Sequence, residues 1–307
     1  MPKNNSDGVW GQRKVYKLSL SMAEPTDIEE LMIEKFDGGF PVVISSGRAA
    51  IKLIVQEFWT ANEISLFPYA SQCVVNAIQA AGITPYTRTN FTSEIVYNQW
   101  GVLDRGCAST PFIEDSCDTF LQEGSRVLRL GAQFEVWSLP KILESRFGAV
   151  IWCRDREDAI HLRRIRDTSK KGTLKKQVLR NLRSISKWNY ATWEASEFDT
   201  FKLSKFEYAS ILKDVSIWKE KYEKRDKLKK KAQILLSEVY SKRFESMGKP
   251  IEITQSEVTP VLSVELEFSD SEPLKLTEAF QIMHRIESGK RPQRVGVYKF
   301  LQDGRLK

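Results

Sequence analysis

The sequence has few of the residues that build metal sites. Its 307 residues include two histidines, His161 and His284, and four cysteines that show no metal-ligand spacing: Cys73, Cys107, Cys117 and Cys153. Structural and catalytic zinc sites need several histidine or cysteine ligands at short spacings. We therefore expect no zinc chemistry, and we expect the cysteines to be the reduced thiols of a cytoplasmic protein.

Long apolar runs and processing signals are also lacking. No run reaches the ~20 residues that span a bilayer, and residues 1–14 (MPKNNSDGVWGQRK) have no apolar core of the signal-peptide type. Internal repeats and low-complexity linkers are missing as well. The sequence thus predicts a cytoplasmic protein without a membrane partner, long enough for a large and a smaller domain.

Basic residues exceed acidic ones, 47 to 40, which gives a net charge of +7. They are concentrated between Arg154 and Lys231, in runs such as HLRRIRDTSKKGTLKK. No zinc finger, ribonucleoprotein motif or recognition-helix pattern accompanies them, so we expect no nucleic-acid partner. We interpret the runs as solvated helix faces, and a surface for phosphorylated small molecules stays open.

Short apolar runs alternate with helical patterns from about Phe40 to Cys153. Helices are predicted over residues 48–60 and in SQCVVNAIQAAG, and strands in FPVVISS, EISLFPY, ITPYTRT, STPFIED, QFEVWSL and FGAVIWCRD. The strands are apolar without clean alternation, which is typical of a sheet buried on both faces. The pattern predicts an α/β fold with a mostly parallel sheet covered by helices.

The second half of the chain has a different character. Residues 154–242 are highly charged and helical in pattern, and we assign them with the first half to one large domain, residues 1–242. Beyond this point VTPVLSVELEF alternates like a strand, and LKLTEAFQIMHRIESG predicts a helix that ends at Gly289. We therefore predict a small α+β domain over residues 243–307.

A strand-to-helix turn follows the first predicted strand. In ISSGRAA the strand gives way to Ser45, Ser46 and Gly47, and a helix opens at Arg48. Glycine lets the backbone approach a ligand, and the N–H groups of a helix start suit a phosphate. A serine–glycine turn of this kind is also common as plain structure.

An acid and a lysine follow two later strands. Asp115 ends one apolar run, and Lys141 follows another 26 positions later, with Ser138 shortly before it. Pyridoxal phosphate (PLP) needs an amine for its Schiff base, a carboxylate for its ring nitrogen and a glycine turn with hydroxyls for its phosphate. The three strand ends supply these groups in one chain.

The chain resembles the DegT-type family of sugar aminotransferases. The resemblance lies in the order of SSGRAAIKLI, LFPYASQCVVNAIQAAGITPY, PFIEDSCD and FEVWSLPKILESRFGAVIW. It covers residues 40–153 well and residues 203–236 loosely. It implies the fold-type I aminotransferase architecture with PLP, a reduced C-terminal domain, and a homodimer with the cofactor site near its interface.

By this resemblance, Lys141 would be the Schiff-base lysine and the base that moves a proton once substrate has displaced it. Asp115 would pair with the pyridinium nitrogen, and Glu114 beside it would point the other way. The phosphate would be held by Ser46, Gly47, Arg48 and Ser138. Asp118 would lie near the cofactor hydroxyl, where many members of the family carry glutamine.

The family implies transfer of an amino group from a donor, with glutamate as the expected donor, to a nucleotide-linked keto sugar for surface polysaccharide synthesis. Two alternatives remain open. Asp118 resembles the acid of related sugar dehydratases, which indicates dehydration of a sugar. A non-catalytic binding or assembly partner would fit the departures from the family pattern: Ala70, Ser71 and Gln72 replace a stacking aromatic, and the segment after Lys141 has a single glycine.

Overall fold

A seven-stranded mixed sheet forms the centre of the computed structural model. The structure describes residues 21–66, 72–87, 93–98, 109–117, 119–143, 145, 147–169, 198 and 201–227, and the strands listed below for the C-terminal region. The strands of the large sheet are β1 (Phe40–Ile44), β2 (Glu63–Leu66), β3 (Thr84–Thr87), β4 (Ile95–Tyr97), β5 (Ile113–Asp115), β6 (Phe134–Ser138) and β7 (Ala149–Cys153).

The order of these strands across the sheet is β1-β7-β6-β5-β4-β2-β3. Neighbouring strands from β3 to β6 run parallel, and β7 runs antiparallel to both β6 and β1. β1 therefore points the same way as β6. The predicted α/β class with a mostly parallel sheet is confirmed.

Helices cover both faces of the sheet. They are α1 (Pro25–Lys35), α2 (Gly47–Phe58), α3 (Gln72–Ala80), α4 (Leu139–Ile142), α5 (Arg156–Thr168) and α6 (Lys205–Ser216), and residues 218–227 are again helical. The sequence patterns had indicated α2, α3 and the charged helices of the second half, but neither α1 nor the three-residue strand β4. None of the helices in the described ranges is both long and apolar enough to span a bilayer.

Two apolar clusters divide the core according to strand alternation. One lies on the face covered by α2, α3 and part of α5, and includes Ile113 and Val136. The other lies on the face covered by α1 and α6, and includes Trp137 and Trp152. Phe36 packs edge-on against both of these indoles, with ring centroids 4.9 Å and 6.0 Å apart.

The strands of the C-terminal region form a small antiparallel sheet. β11 (Arg294–Phe300) pairs with β8 (Val261–Leu262), β9 (Glu265–Glu267) and β10 (Gln281–Met283). The helix predicted to end at Gly289 is wrong where β10 lies, because pairing with β11 overrides the helical pattern of that segment. The domain boundary at residue 243 stays a prediction.

The outer edge of β1 is closed by charged side chains. The Glu29 carboxylate accepts a hydrogen bond from the Val43 N–H (2.9 Å) and pairs with Arg163 (2.8 Å) and with Arg166. The two arginines donate in turn to the carbonyls of Pro41 (2.9 Å) and Val43 (3.3 Å). These contacts satisfy backbone groups that an edge strand leaves unpaired.

Replacing Glu29 with alanine tests this closure. The Arg166 side chain is 1% exposed and pairs with both Glu29 and Asp167. Loss of Glu29 therefore leaves this buried charge with Asp167 alone, which we expect to cost about 3 kcal/mol of unfolding free energy. Urea unfolding of Glu29→Ala measures the loss. Glu30→Ala, at the neighbouring exposed position, is the control and should change the free energy by less than about 0.5 kcal/mol; equal losses in the two variants would contradict the role of Glu29.

Gly148 links two segments at the end of the sheet. Its N–H donates to the Ser45 carbonyl (3.0 Å), and its own carbonyl accepts from the Leu139 N–H (3.1 Å). Its φ is +99°, and an added Cβ would lie 2.7 Å from Cδ1 of the buried Ile211 and 3.1 Å from Cδ1 of Leu139. Glycine is required here by both backbone conformation and space.

A matched pair of glycine substitutions separates these two requirements. Gly82 has a φ of +83° with nothing within 4 Å of an added Cβ, so Gly82→Ala should cost only backbone strain, about 1 kcal/mol. Gly148→Ala adds overpacking and should cost about 1–3 kcal/mol more. Thermal or urea unfolding of both variants gives the difference, and indistinguishable losses would show that Ile211 yields without cost.

Candidate active site

The carboxyl ends of the parallel strands meet at one edge of the sheet. β1 leads there into Ser45 and Ser46, and β6 leads into residues 139–142, which carry Lys141 and which we call the lysine turn. Because β7 is antiparallel, its first residues lie at the same edge, where Gly148 bonds to the segments that follow both strands. Ligands of open α/β sheets bind at this edge.

Gly47 lies at the point where three of these segments come together. A Cβ built on it would lie 3.4 Å from Sγ of Cys117 and 3.8 Å from Cβ of Ser138. The structure thus brings the predicted Gly47 and Ser138 together with the loop after Asp115. Because Gly47 has no side chain, the space between Cys117 and Ser138 stays open, whereas a larger residue would fill it.

The helix start beside this glycine carries the features of a phosphate site. Ser46 is the N-cap of α2, and its Oγ accepts from the Ala49 N–H (3.2 Å). The first turn of α2 has no acidic residue, so the positive end of the helix dipole is not offset locally. The guanidinium carbon of Arg48 lies 6.0 Å from the ring centroid of Phe198.

Asp115 is the last residue of β5 and is 2% exposed. Strand alternation places it on the same face as Ile113, which packs in the α2 cluster. Its Oδ1 accepts from the Cys117 N–H (3.1 Å), which fixes the carboxylate relative to its own loop. The expectation that Glu114 points the other way agrees with this alternation.

Lys141 lies in the short helix α4, three residues after β6 ends, and is half-buried. Nη1 of Arg225, from the helical segment 218–227, donates to the carbonyls of Lys141 (3.1 Å) and Ile142. Arg225 is 5% exposed and holds the backbone of the lysine turn. Nothing in the sequence near residue 225 indicated this contact.

Sequence reasoning also missed a second acid beside the site. Glu114 on β5 and Glu135 on β6 are opposite each other in the parallel register, and each is at most 2% exposed. Burial, followed by repulsion from Glu135, raises the pKa of Glu114 to about 8, and burial raises the pKa of Glu135 as well. We call these two residues the carboxyl pair.

Not every predicted position belongs to the described part of the chain. Asp118, Ala70 and Ser71 fall outside the described residues. Of two surface depressions, one is lined by Gln122, Glu123 and side chains of the helical segment 218–227. The other lies at the opposite edge of the sheet, near Gly38 and Arg154. Within the described ranges, no cluster of histidine, cysteine and carboxylate side chains is suited to a metal ion.

The arrangement fits PLP by the chemistry of its donors. A capped helix start with an adjoining glycine suits the phosphate, a buried carboxylate suits a protonated ring nitrogen, and a lysine follows the neighbouring strand. The gap that Gly47 leaves between Cys117 and Ser138 is the observation that supports a bound group at this edge.

Solved structures with the same fold include several PLP enzymes. PseC, a Helicobacter pylori aminotransferase involved in the biosynthesis of pseudoaminic acid, has a TM-score of 0.58 at 12% identity, covering 96% of this chain and 94% of that chain. A DegT DnrJ EryC1 StrS aminotransferase from Brucella abortus has a TM-score of 0.55 at 13% identity, covering 92% and 86%. An 8-amino-7-oxononanoate synthase from Francisella tularensis has a TM-score of 0.54 at 12% identity, covering 92% and 83%.

Similarity at this level of identity shows the fold, and the expected fold-type I architecture is confirmed. No curated protein matches the chain. A family model described as "Putative PLP-dependent aminotransferase" matches residues 32–257, well over half of the sequence. The predicted family, enzyme class and cofactor are therefore confirmed: the chain belongs to the PLP-dependent aminotransferases.

Proposed function

We propose that this aminotransferase transfers an amino group from glutamate to a nucleotide-linked keto sugar in surface polysaccharide synthesis, and that its site is the sheet edge around Gly47, Asp115 and Lys141. The observation that carries the site is the convergence of Gly47, Ser138 and the Asp115–Cys117 loop. The fold shared with PseC and with the Brucella abortus enzyme supports a sugar as the acceptor.

In this proposal the cofactor is bound and oriented by the turn over residues 45–48, which we call the phosphate turn. Ser46 caps α2 and fixes the helix start, and the amides of Gly47 and Arg48 would hold the phosphate together with the Ser138 hydroxyl. The Arg48 side chain adds positive charge. Because the helix dipole and the guanidinium act on the same anion, each strengthens its binding.

Asp115 keeps a proton on the cofactor's ring nitrogen. A buried carboxylate favours a nearby cation, and a protonated ring nitrogen would be a cation of that kind. The Cys117 N–H bond to Oδ1 holds the carboxylate in place. Bound PLP supplies an aldehyde that takes up the amino group and, when its ring nitrogen stays protonated, a ring that withdraws electrons.

Lys141 would hold the cofactor and then act as a base. Its Nζ is the amine that would hold bound PLP, and once free it would accept a proton from the substrate carbon and give it up again later in the transfer. Arg225 holds the carbonyl of Lys141, which keeps the turn in one conformation. A substrate phosphate or diphosphate would find cations in the basic region beyond Arg154.

Three further predictions belong to this proposal. We propose a homodimer in which the basic helical region contributes to the interface near the site. We propose that residues 243–307 form a small C-terminal domain. Asp118 is proposed to lie near the cofactor hydroxyl, and the dehydratase alternative rests on that residue.

Lysine and aspartate variants test the assigned roles. With PLP, glutamate and a panel of nucleotide-linked keto sugars, the wild type should form 2-oxoglutarate and the amino sugar, both measurable by mass spectrometry. Lys141→Ala should lose about 10³-fold or more in turnover because it lacks the base. Asp115→Asn should lose about 10²-fold, because an amide leaves the ring nitrogen unprotonated.

Lys213→Ala, an exposed position on α6, is the matched control and should retain wild-type turnover. Normal turnover in Lys141→Ala would remove that residue from catalysis. Turnover of 2-keto-acid acceptors alone, with every sugar inert, would contradict the sugar assignment and leave the site assignment standing.

A further inference from the structure

The carboxyl pair lies directly behind the predicted cofactor acid. Glu114 precedes Asp115 on β5, and strand alternation places its side chain on the opposite face of the sheet, with Trp137. Glu135 is its register partner on β6. The pair and Asp115 therefore share one strand end and occupy its two faces.

A single amide connects the residues on both sides of Asp115. Nδ2 of Asn98 donates to Oε1 of Glu114 (2.7 Å) and to Oγ of Ser116 (2.9 Å), and the Asn98 N–H donates to the Asp115 carbonyl (2.9 Å). The Ser116 hydroxyl in turn bonds to Glu135. The backbone of Asp115 is thus held from the residue before it, from the residue after it and at its own carbonyl.

The pair also holds the loop that leads from β5 to β6. Oε2 of Glu135 accepts from the Leu128 N–H, and Oε2 of Glu114 accepts from the Leu130 N–H (3.3 Å). Leu128 has a φ of +54°, which is unfavourable for a branched side chain. A conformation of this kind persists when surrounding contacts fix it.

Two negative charges cannot both be accommodated in this environment. Burial and mutual repulsion raise the pKa of Glu114 to about 8, and burial raises that of Glu135. Arg129 is the charged group that acts on both carboxyls. Two other neighbours are neutral: Asn98, which donates to Glu114, and Trp152 on β7, which is the register partner of Glu135. One proton is therefore retained by the pair near neutral pH.

We propose that the Glu114–Glu135 pair, with Asn98 and Ser116, is a positioning unit for Asp115 that holds the cofactor acid in place while the two carboxyls share a proton. The part of this inference that concerns the cofactor rests on the proposed function. The structural part concerns the chain alone and is tested without cofactor.

The first test measures stability against pH in the cofactor-free protein. The carboxyl pair binds its protons more tightly in the folded state than in the unfolded chain. The contribution of the pair to the unfolding free energy therefore falls as pH rises from about 4.5 through about 8. The melting temperature of the wild type should therefore fall further between about pH 6 and about pH 9 than that of Glu114→Gln. Exposed Glu30→Gln should follow the wild type, and equal falls in Glu114→Gln and the wild type would overturn the shared proton.

The second test measures the strand end itself by amide hydrogen exchange. Amide exchange in the peptide 112–120 is compared between the cofactor-free wild type and Glu114→Gln. At about pH 9 the wild type should exchange several-fold faster than the variant, and at about pH 6 the two should exchange at the same rate. Asn98→Ala should raise exchange in this peptide at both pH values. Unchanged exchange in all these comparisons would overturn the positioning role.

The third test adds PLP. Wild-type affinity for PLP should fall several-fold between about pH 6 and about pH 9, and that of Glu114→Gln should fall less. Parallel falls would overturn the link from the pair to the cofactor. A wild type that never attaches PLP would instead overturn the proposed site, while the first two tests still decide the role of the pair.

Discussion

The candidate site depends on the insertion of one antiparallel strand between two that run the other way. β7 lies between β1 and β6, so its first residues lie where those two strands end. Gly148 can then bond to Ser45 on one side and to Leu139 on the other. These two bonds tie the phosphate turn to the lysine turn, and they require a backbone conformation and a space that only glycine satisfies.

Among the described residues, the buried charges of Glu29, Arg166 and the carboxyl pair are surrounded by partners. Glu29 and Arg166 neutralise each other while they bond to the edge of β1, the strand that leads into the phosphate turn. The carboxyl pair keeps a proton and five bonds to neighbouring groups. Asp115, between these elements, is the buried acid whose position suits a cationic ligand, and this is the physical basis for assigning it to the ring nitrogen.

Most strands of the sheet, and the candidate residues at their ends, could be predicted from the sequence because both depend on local sequence pattern. Apolar runs bounded by helices predicted β1–β3 and β5–β7, and the residues at the strand ends indicated Gly47, Asp115 and Lys141. The three-residue β4 carries too little pattern to be recognised. The segment of β10 has a helical pattern, and only its pairing with β11 makes it a strand.

The contacts that complete the site could not be predicted, because they join residues far apart in sequence. Arg225 reaches the Lys141 carbonyl across 84 positions. Glu114 and Glu135 form a pair only because β5 and β6 are parallel and in this register. A glycine after the lysine was visible in the sequence, but its role as the link between two turns follows from the position of β7.

The proposed site requires that PLP attach to Lys141. Borohydride reduction of the PLP-treated protein, followed by peptide mass spectrometry, identifies the lysine that carries the cofactor. We expect a reduced pyridoxyl adduct on Lys141. A folded protein with the adduct on another lysine, or with none, would contradict it.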